Sequence, residues 1–323
     1  MNEGPEGSVR GGEGEQRETR CGYVAVLGLP NAGKSTLTNR LVGAPLSIVS
    51  SKAQTTWRRV TAILTEDESQ LIFLDTPGLL TPGTLLQAAM RQAAEAALAE
   101  ADVLLWVVEA TGRDSTELER LAADLGRGDA PAPVVALNKV DLAGAKECSR
   151  WEAWARDTFS GAKVVQVSAT TGKGISELRK ALIRVLPPGP FLYPEDEVGI
   201  DPIRDFVAEF IRETIFEQYR DEIPYSSICR VEEFREGGER TYIGVTVFVE
   251  RDSQKGILVG KGGKGIRRLG VAARKRIEAF LDTPVYLDLW VKVLPNWRRK
   301  KEHLRRFGFR IPDAHDETMA WRN

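Results

Sequence analysis

Eight residues, Gly28-Leu29-Pro30-Asn31-Ala32-Gly33-Lys34-Ser35, follow a short apolar run and are expected to open a helix at Thr36. The Gly-x4-Gly-Lys-Ser spacing aims the backbone N–H groups of a tight loop at phosphate oxygens, and the helix N-terminus adds positive potential. Lys34 can reach the terminal phosphates and the Ser35 hydroxyl can ligate Mg2+. Gly28, Pro30, Asn31, Ala32, Gly33, Lys34, Ser35 and Thr36 are therefore the candidate phosphate-binding residues. Such a loop serves ATP and GTP alike. The choice falls to Asn138-Lys139-Val140-Asp141, at the end of another apolar run. The Asp141 carboxylate can accept two hydrogen bonds from guanine N1–H and its exocyclic amine; adenine offers neither donor, and an unpaired buried acceptor is costly. Asn138 should brace the loops and the stem of Lys139 should cover the base. Ser168-Ala169, after a further apolar run, supplies a small residue whose backbone N–H can meet guanine O6.

Asp75-Thr76-Pro77-Gly78 lies between these two motifs. Asp75 is placed for the Mg2+ water shell, and the Gly78 N–H can sense a γ-phosphate. The order of the motifs implies a chain that binds GTP/GDP and hydrolyses GTP, with Lys34 and Gly78 acting at the terminal phosphate. Leu79 occupies the position where many small GTPases carry a water-orienting glutamine. Leucine has no polar group for that work, so turnover is expected to be slow.

A second constellation lies near the other end. Gly260-Lys261-Gly262-Gly263 precedes a basic helical stretch, Lys264 to Leu281. Glycines in such a turn let a nucleic-acid backbone approach closely. Lys255, Lys261, Lys264, Arg267 and Arg268 are the candidate phosphate contacts, with Arg274, Lys275 and Arg276 toward a more solvated side. The expected partner is single-stranded RNA and no DNA. Arg298, Arg299, Lys300, Lys301, Arg305 and Arg306 form a basic extension that can add an RNA contact or lie on an anionic membrane. Trp297 and Phe307 can stack on bases, though packing onto the domain is the commoner fate of such aromatics.

The elements that must position these residues alternate in two rhythms. Apolar runs at Tyr23–Leu27, Leu71–Leu74, Val103–Val108, Val134–Leu137 and Val164–Val167 read as buried strands separated by helical stretches, the pattern of an α/β fold with a mostly parallel sheet and helices on both faces. Pro187, Pro188, Pro190 and Pro194 then mark a stiff linker. Beyond it Asp201-Pro202 reads as a helix cap, and the order helix, strand, strand, helix, helix, strand follows, an α+β pattern. The expected divisions are a tail over 1–20, a nucleotide-binding domain over 21–187, a linker over 188–200, an RNA-binding domain with its basic extension over 201–310, and a tail over 311–323.

Composition sets bounds on partners. The 323 residues are 42% hydrophobic and 28% charged, with a net charge of −1. No run of eighteen apolar residues occurs, so a spanning helix is not expected and the cytoplasm is the default compartment. Cys21, Cys148 and Cys229 are far apart and His303 and His315 stand alone, which suggests neither a disulfide framework nor a zinc site. Between Arg251 and Arg310 there are 17 Lys and Arg against five Asp and Glu, leaving the remainder strongly acidic. One end is suited to a polyanion.

Together these motifs resemble those of the translation-factor-related GTPases, and within them the bacterial Era family, over nearly all of Gly22 to Arg306. The resemblance implies a P-loop G domain followed by a type II KH domain. It makes Ser50-Ser51-Lys52-Ala53-Gln54-Thr55-Thr56 the first switch, with Thr56 rather than Thr55 touching Mg2+ and the γ-phosphate. Trp57 departs from the pattern, since an arginine commonly follows the two threonines. Relatives with Asn in the P-loop can bind K+, so Asn31 is a candidate ligand for that cation or else only stiffens the loop. The resemblance also implies a substrate, the 3′ region of small-subunit ribosomal RNA during 30S maturation, and peripheral contact with the inner membrane. A membrane-associated scaffold GTPase with incidental RNA affinity is the rival reading; an RNA-modifying enzyme ranks last, because no catalytic cluster stands outside the nucleotide site.

Overall fold

The computed structural model describes residues 18–50, 52, 54–79, 81–112, 116–125 and 132–311. The expected tails therefore lie outside it apart from their inner ends. The first domain contains β1 (Arg20–Leu27), α1 (Lys34–Val42), β2 (Val60–Glu66), β3 (Ser69–Asp75), α2 (Leu85–Glu100), β4 (Val103–Glu109), α3 (Thr116–Leu125), β5 (Val134–Asn138), α4 (Ala145–Thr158), β6 (Lys163–Gln166) and α5 (Ile175–Val185). The strands form one sheet in the order β2-β3-β1-β4-β5-β6. All neighbours are parallel except β2, which pairs antiparallel with β3 through a two-residue turn in which Asp67 takes φ 45°. The apolar runs are buried on both faces, as a sheet with helices on each side requires. Val24, Val26, Leu105, Val107, Val134 and Ala136 pack toward α1 and α5, and Ala25, Leu27, Trp106 and Val135 toward the opposite layer. This sheet carries the P-loop, the Asp75 segment and the Asn138 segment at the C-terminal ends of β1, β3 and β5, where ligands bind in open α/β folds.

The second domain contains α6 (Ile203–Gln218), α7 (Ile223–Ser226), β7 (Ile228–Arg235), β8 (Thr241–Val249), α8 (Asp252–Val259), α9 (Lys264–Leu281), β9 (Val285–Val293) and α10 (Lys301–Arg306). Its sheet runs β7-β8-β9, antiparallel between the first pair and parallel between the second. The parallel pairing needs a crossover, which α8 and α9 supply. Leu269, Ala273 and Ile277, four residues apart along one stripe of α9, pack on Ile243, Val245 and Val247 together with Phe206, Phe210 and Ile211 of α6.

Three boundary readings change. Arg20 belongs to β1 rather than to a tail, because it pairs with Ser69 and bridges to Pro188. Ile311, assigned to the other tail, is buried beside Phe309. Asp201 does not cap α6: its carboxylate accepts from the Thr61 N–H at 2.8 Å, and Pro202 occupies the cap without a side-chain bond. The proline segment is stitched along the first domain. Gln70 accepts from the N–H groups of Leu192 and Tyr193 and donates to the Tyr193 carbonyl, and Ile63 N–H donates to Val198 O.

Candidate functional site

The glycines of the P-loop are fixed by what surrounds them. Gly33 takes φ 90°, and a Cβ there would stand 2.3 Å from the Asn138 amide nitrogen. Gly78 lies so close to Pro30 that a Cβ would meet its Cα and N at 2.8 Å. The Asp75–Gly78 segment is thus pressed against the P-loop, and the Thr76 hydroxyl, donating to Val26 O at 2.7 Å, pins it to β1. A cleft of about 350 Å³ opens above, lined among others by Pro30, Gly33, Ser35, Thr36, Gly78 and Lys139. Gly28 and Ala32 form the floor and the buried wall of the loop, and Asn31, exposed with φ 66°, stands at its rim.

Lys34 lies under this loop. Its ammonium donates to the carbonyls of Gly28 and Leu29 at 3.1 and 3.0 Å. Burial pushes its pKa down to about 8, against a smaller upward pull from Asp75. Asp75 is fully buried, and the loss of water raises its pKa. The Ser35 and Ser47 hydroxyls lie near enough to offset part of that rise, but among the described residues neither carboxylate oxygen has a well-formed hydrogen bond. The Ser35 hydroxyl is instead 2.8 Å from that of Thr56. Two hydroxyls in contact beside an unsatisfied carboxylate make an all-oxygen donor set suited to Mg2+. Thr55, the other threonine, points its carbonyl out of the cleft toward the second domain, where Arg212 takes it.

The base side is organised by one buried side chain. Asn138 donates to Ala32 O at 2.9 Å and accepts from the Ala169 N–H at 3.0 Å, joining the P-loop to the loop after β6. This brings about the expected bracing and changes one assignment. The Ala169 N–H, read as free for guanine O6, satisfies the buried Asn138 carbonyl, and the Ser168 N–H donates to Lys173 O. Thr170, next along, lines the cleft instead. Lys139 takes φ 63° and pairs with Glu109 at 3.0 Å, which stretches its stem along the cleft wall. Asp141, expected to act as a buried acceptor, is exposed, and it is not among the residues lining the cleft.

Some contributors carried no motif. Arg40 of α1 donates to the carbonyls of Ala169 and Thr170 at 3.1 and 2.6 Å, holding the base-side loop from across the domain. Asn39 bonds the backbone of Leu46 and Ser47 and so sets the start of the first switch. Both follow the P-loop on a helix whose residue types look unremarkable in sequence. Of the expected switch, Ser51 and Ala53 lie outside the described residues.

The second candidate site is separate. Lys261–Gly263 form a single turn between α8 and α9, with Gly260, Gly262 and Gly263 at φ 68°, 59° and 76°. Lys255, Lys261, Lys264, Arg267 and Arg268 are exposed around it. Among the described residues the first four make no salt bridge, while Arg268 donates to Gln218 at 3.1 Å. Beside the turn an open groove between α9 and β9 is lined by Ile266, Val271, Leu287 and Leu289. Arg276 turns away, bonded to Glu217 and Thr214. Trp297 and Phe307 are buried, so they pack and do not stack on bases.

Comparison with known proteins supplies the family. Residues 23–139 match the family described as a 50S ribosome-binding GTPase, and residues 222–298 match the KH domain. GTPase Era of Carboxydothermus hydrogenoformans is 40% identical over 292 residues, covering 90% of this chain and 98% of its own. GTPase ERA1 of Zea mays, a chloroplast protein, is 41% identical over 90% of this chain and 70% of its own. The crystal structure of an Aquifex aeolicus Era variant bound to GDP and AlF4− superposes with TM-score 0.85 at 37% identity, over 90% of this chain and 99% of that one. Era in complex with MgGDPNP and nucleotides 1506–1542 of 16S ribosomal RNA gives the same TM-score at 36% identity and the same coverages. With two domains matched in order and full-length likeness at this level, the chain belongs to the Era family of GTPases.

Proposed function

We propose that this GTPase binds the 3′ region of small-subunit ribosomal RNA through its KH domain, that nucleotide state sets the affinity, and that the activity serves 30S maturation. The observation that supports it most is the exposed Lys261–Gly263 turn, ringed by four cations that make no salt bridge among the described residues. Three glycines at positive φ leave its backbone open, so a phosphate chain can lie against it. The choice of ribosomal subunit rests on the Era structure that holds a 16S fragment, which resembles this chain over 90% of its length. The description naming the 50S subunit applies to a match over residues 23–139 alone.

At the nucleotide site the loop N–H groups and Lys34 take the phosphates, Asp141 and the Asn138-braced loops take guanine, and the Gly78 N–H faces the terminal phosphate. Ser35 and Thr56 would hold Mg2+, with Asp75 on its water shell; the ion supplies neutralisation of charge between the phosphates. Leu79 is 3% exposed and packed in the core, so no side chain at that position orients water. Asn31, exposed at the rim, offers its amide carbonyl to a K+ ion that would neutralise developing charge. Hydrolysis should then be faster in K+ than in Na+ at matched ionic strength; equal rates would remove the potassium site.

The RNA reading is tested by titrating a short RNA from the 3′ end of the small-subunit rRNA against protein loaded with GDPNP or GDP. Gly262→Asp is the informative variant. Its position is open, with nothing among the described residues within 4 Å of an added Cβ, and aspartate tolerates φ 59° better than most residues. The fold should hold while the carboxylate repels phosphate, weakening RNA about tenfold or more. Affinity that ignores the loaded nucleotide, or that survives this change, refutes the reading. Binding to anionic vesicles unaffected by Gly262→Asp would favour the membrane scaffold. Among the described residues no helix is long and apolar enough to cross a membrane. Trp297 and Phe307 are buried, so neither is free to insert into one.

A further inference from the structure

The described residues of the first switch are bonded to α6 of the KH domain. The Val49 N–H donates to Glu213 at 3.2 Å. The Lys52 ammonium donates to the carbonyls of Phe216 and Tyr219 at the C-terminal end of α6, where unpaired carbonyls and the helix dipole favour a cation. Arg212 donates to the Thr55 carbonyl, and its guanidinium lies 4.1 Å from the Trp57 ring centroid. Glu209 holds Arg212 through bonds of 3.1 and 2.9 Å. Arg212 is 1% exposed, and its Nη1 has no hydrogen-bond partner among the described residues. An incompletely satisfied buried guanidinium is a costly way to seal an interface that apolar residues could close. What its geometry does achieve is to fix the carbonyl one residue before Thr56.

We propose that Arg212 is a positioning residue for the GTPase site, supplied by the KH domain. By anchoring the Thr55 carbonyl it keeps the Thr56 hydroxyl against Ser35, 2.8 Å away. This role rests on the reading that Thr56 meets Mg2+ and the γ-phosphate. The same helix continues to the RNA turn: the Tyr219 hydroxyl donates to Leu258 O at 3.2 Å, two residues before Gly260. Trp57 belongs to the device. Where an arginine would set a second cation beside Arg212, the indole offers a π face to it and packs 5.8 Å from Trp297.

The test uses the full chain with Arg212→Met, Arg212→Lys and Lys52→Ala. Affinities for GDP and for GDPNP and the hydrolysis rate at saturating GTP are measured. Arg212→Met should slow saturated hydrolysis about tenfold and weaken GDPNP about as much, the scale of one charge-assisted contact, while GDP affinity stays near wild type. Arg212→Lys should recover part of both, since an ammonium still donates to a carbonyl. Unchanged hydrolysis in a folded Arg212→Met protein, or equal loss of both nucleotides, overturns the proposal. Should Arg212→Met fail to fold, Arg212→Lys decides: it should lower the GDPNP-to-GDP affinity ratio about threefold, more than Lys52→Ala, which leaves the Thr55 contact in place, and an unchanged ratio in Arg212→Lys overturns the proposal. Wild-type RNA affinity that ignores nucleotide would defeat the switch reading alone, because the hydrolysis arm needs no RNA.

Discussion

Lys34 sits in a pocket where burial works against its charge. Burial lowers its pKa to about 8, so in the nucleotide-free protein the ammonium loses its proton well below the pH at which a free lysine would. A depressed lysine makes the folded state less stable below that pKa, and the penalty fades as pH rises from about 8 toward the unfolded value near 10.5. Nucleotide affinity runs the other way. Phosphates favour the protonated form, so GDP binding should take up a proton above pH 8, and its Kd should weaken about tenfold per pH unit beyond that point. Calorimetry in two buffers of different ionisation enthalpy reads the proton uptake directly; none at pH 9 would refute the assignment. Lysine at this spacing reads as a phosphate ligand from its motif alone, because the loop chemistry is local. The roles of Arg40 and Arg212 are not readable in this way, since their carbonyl partners lie about 130 and 157 residues away in sequence. Trp57 showed only as a departure from a pattern; its meaning needed Arg212 and Trp297 beside it.

At the level of elements, the parallel strands were legible because burial on both faces leaves unbroken apolar runs such as Val103 to Val108. β2 was missed. Its sequence, Val-Thr-Ala-Ile-Leu-Thr-Glu, mixes threonine into the run, yet Thr61 is buried, its N–H satisfied by Asp201 from the segment that leads into α6. That one contact explains two errors together, for the aspartate that resembled a helix cap was needed to complete a strand edge. The proline segment reads as a breaker in sequence, and its rigidity comes as much from Gln70 as from its rings. A buried glutamine that uses both ends of its amide on the backbone of residues 192 and 193 leaves little freedom there. The turn between α8 and α9 was readable because glycine at positive φ is what such a reversal requires. The close approach of these helices extends to Gly265, where a Cβ would meet Leu258 O at 2.5 Å.

For the whole molecule, the excess of positive charge in the C-terminal part divides over two faces of one sheet. Along β8, Val245, Val247 and Val249 face α9, and Phe248, alternating with them, faces the other way. Phe307 packs on Phe248 at 5.3 Å and Trp297 on Phe307 at 5.6 Å, so the basic extension covers the side opposite the Gly260–Gly263 turn. Arg298 is further engaged by Glu250 at 2.5 Å, and Arg306 lies over the Phe248 ring. A strand of a few nucleotides held at the turn is therefore expected not to reach the extension. Counterion release makes this measurable, because each phosphate neutralised on a single strand adds about 0.7 to the salt slope. Engagement of Lys255, Lys261, Lys264, Arg267 and Arg268 alone predicts a log–log slope of about −3.5 for a short RNA. If Arg299, Lys300, Arg305 and Arg306 joined them, it would approach about −6. Lys261→Ala should flatten the slope by about 0.7, whereas Lys300→Ala should leave it unchanged. A slope near −6 that falls on loss of Lys300 would place RNA on both faces and defeat the division.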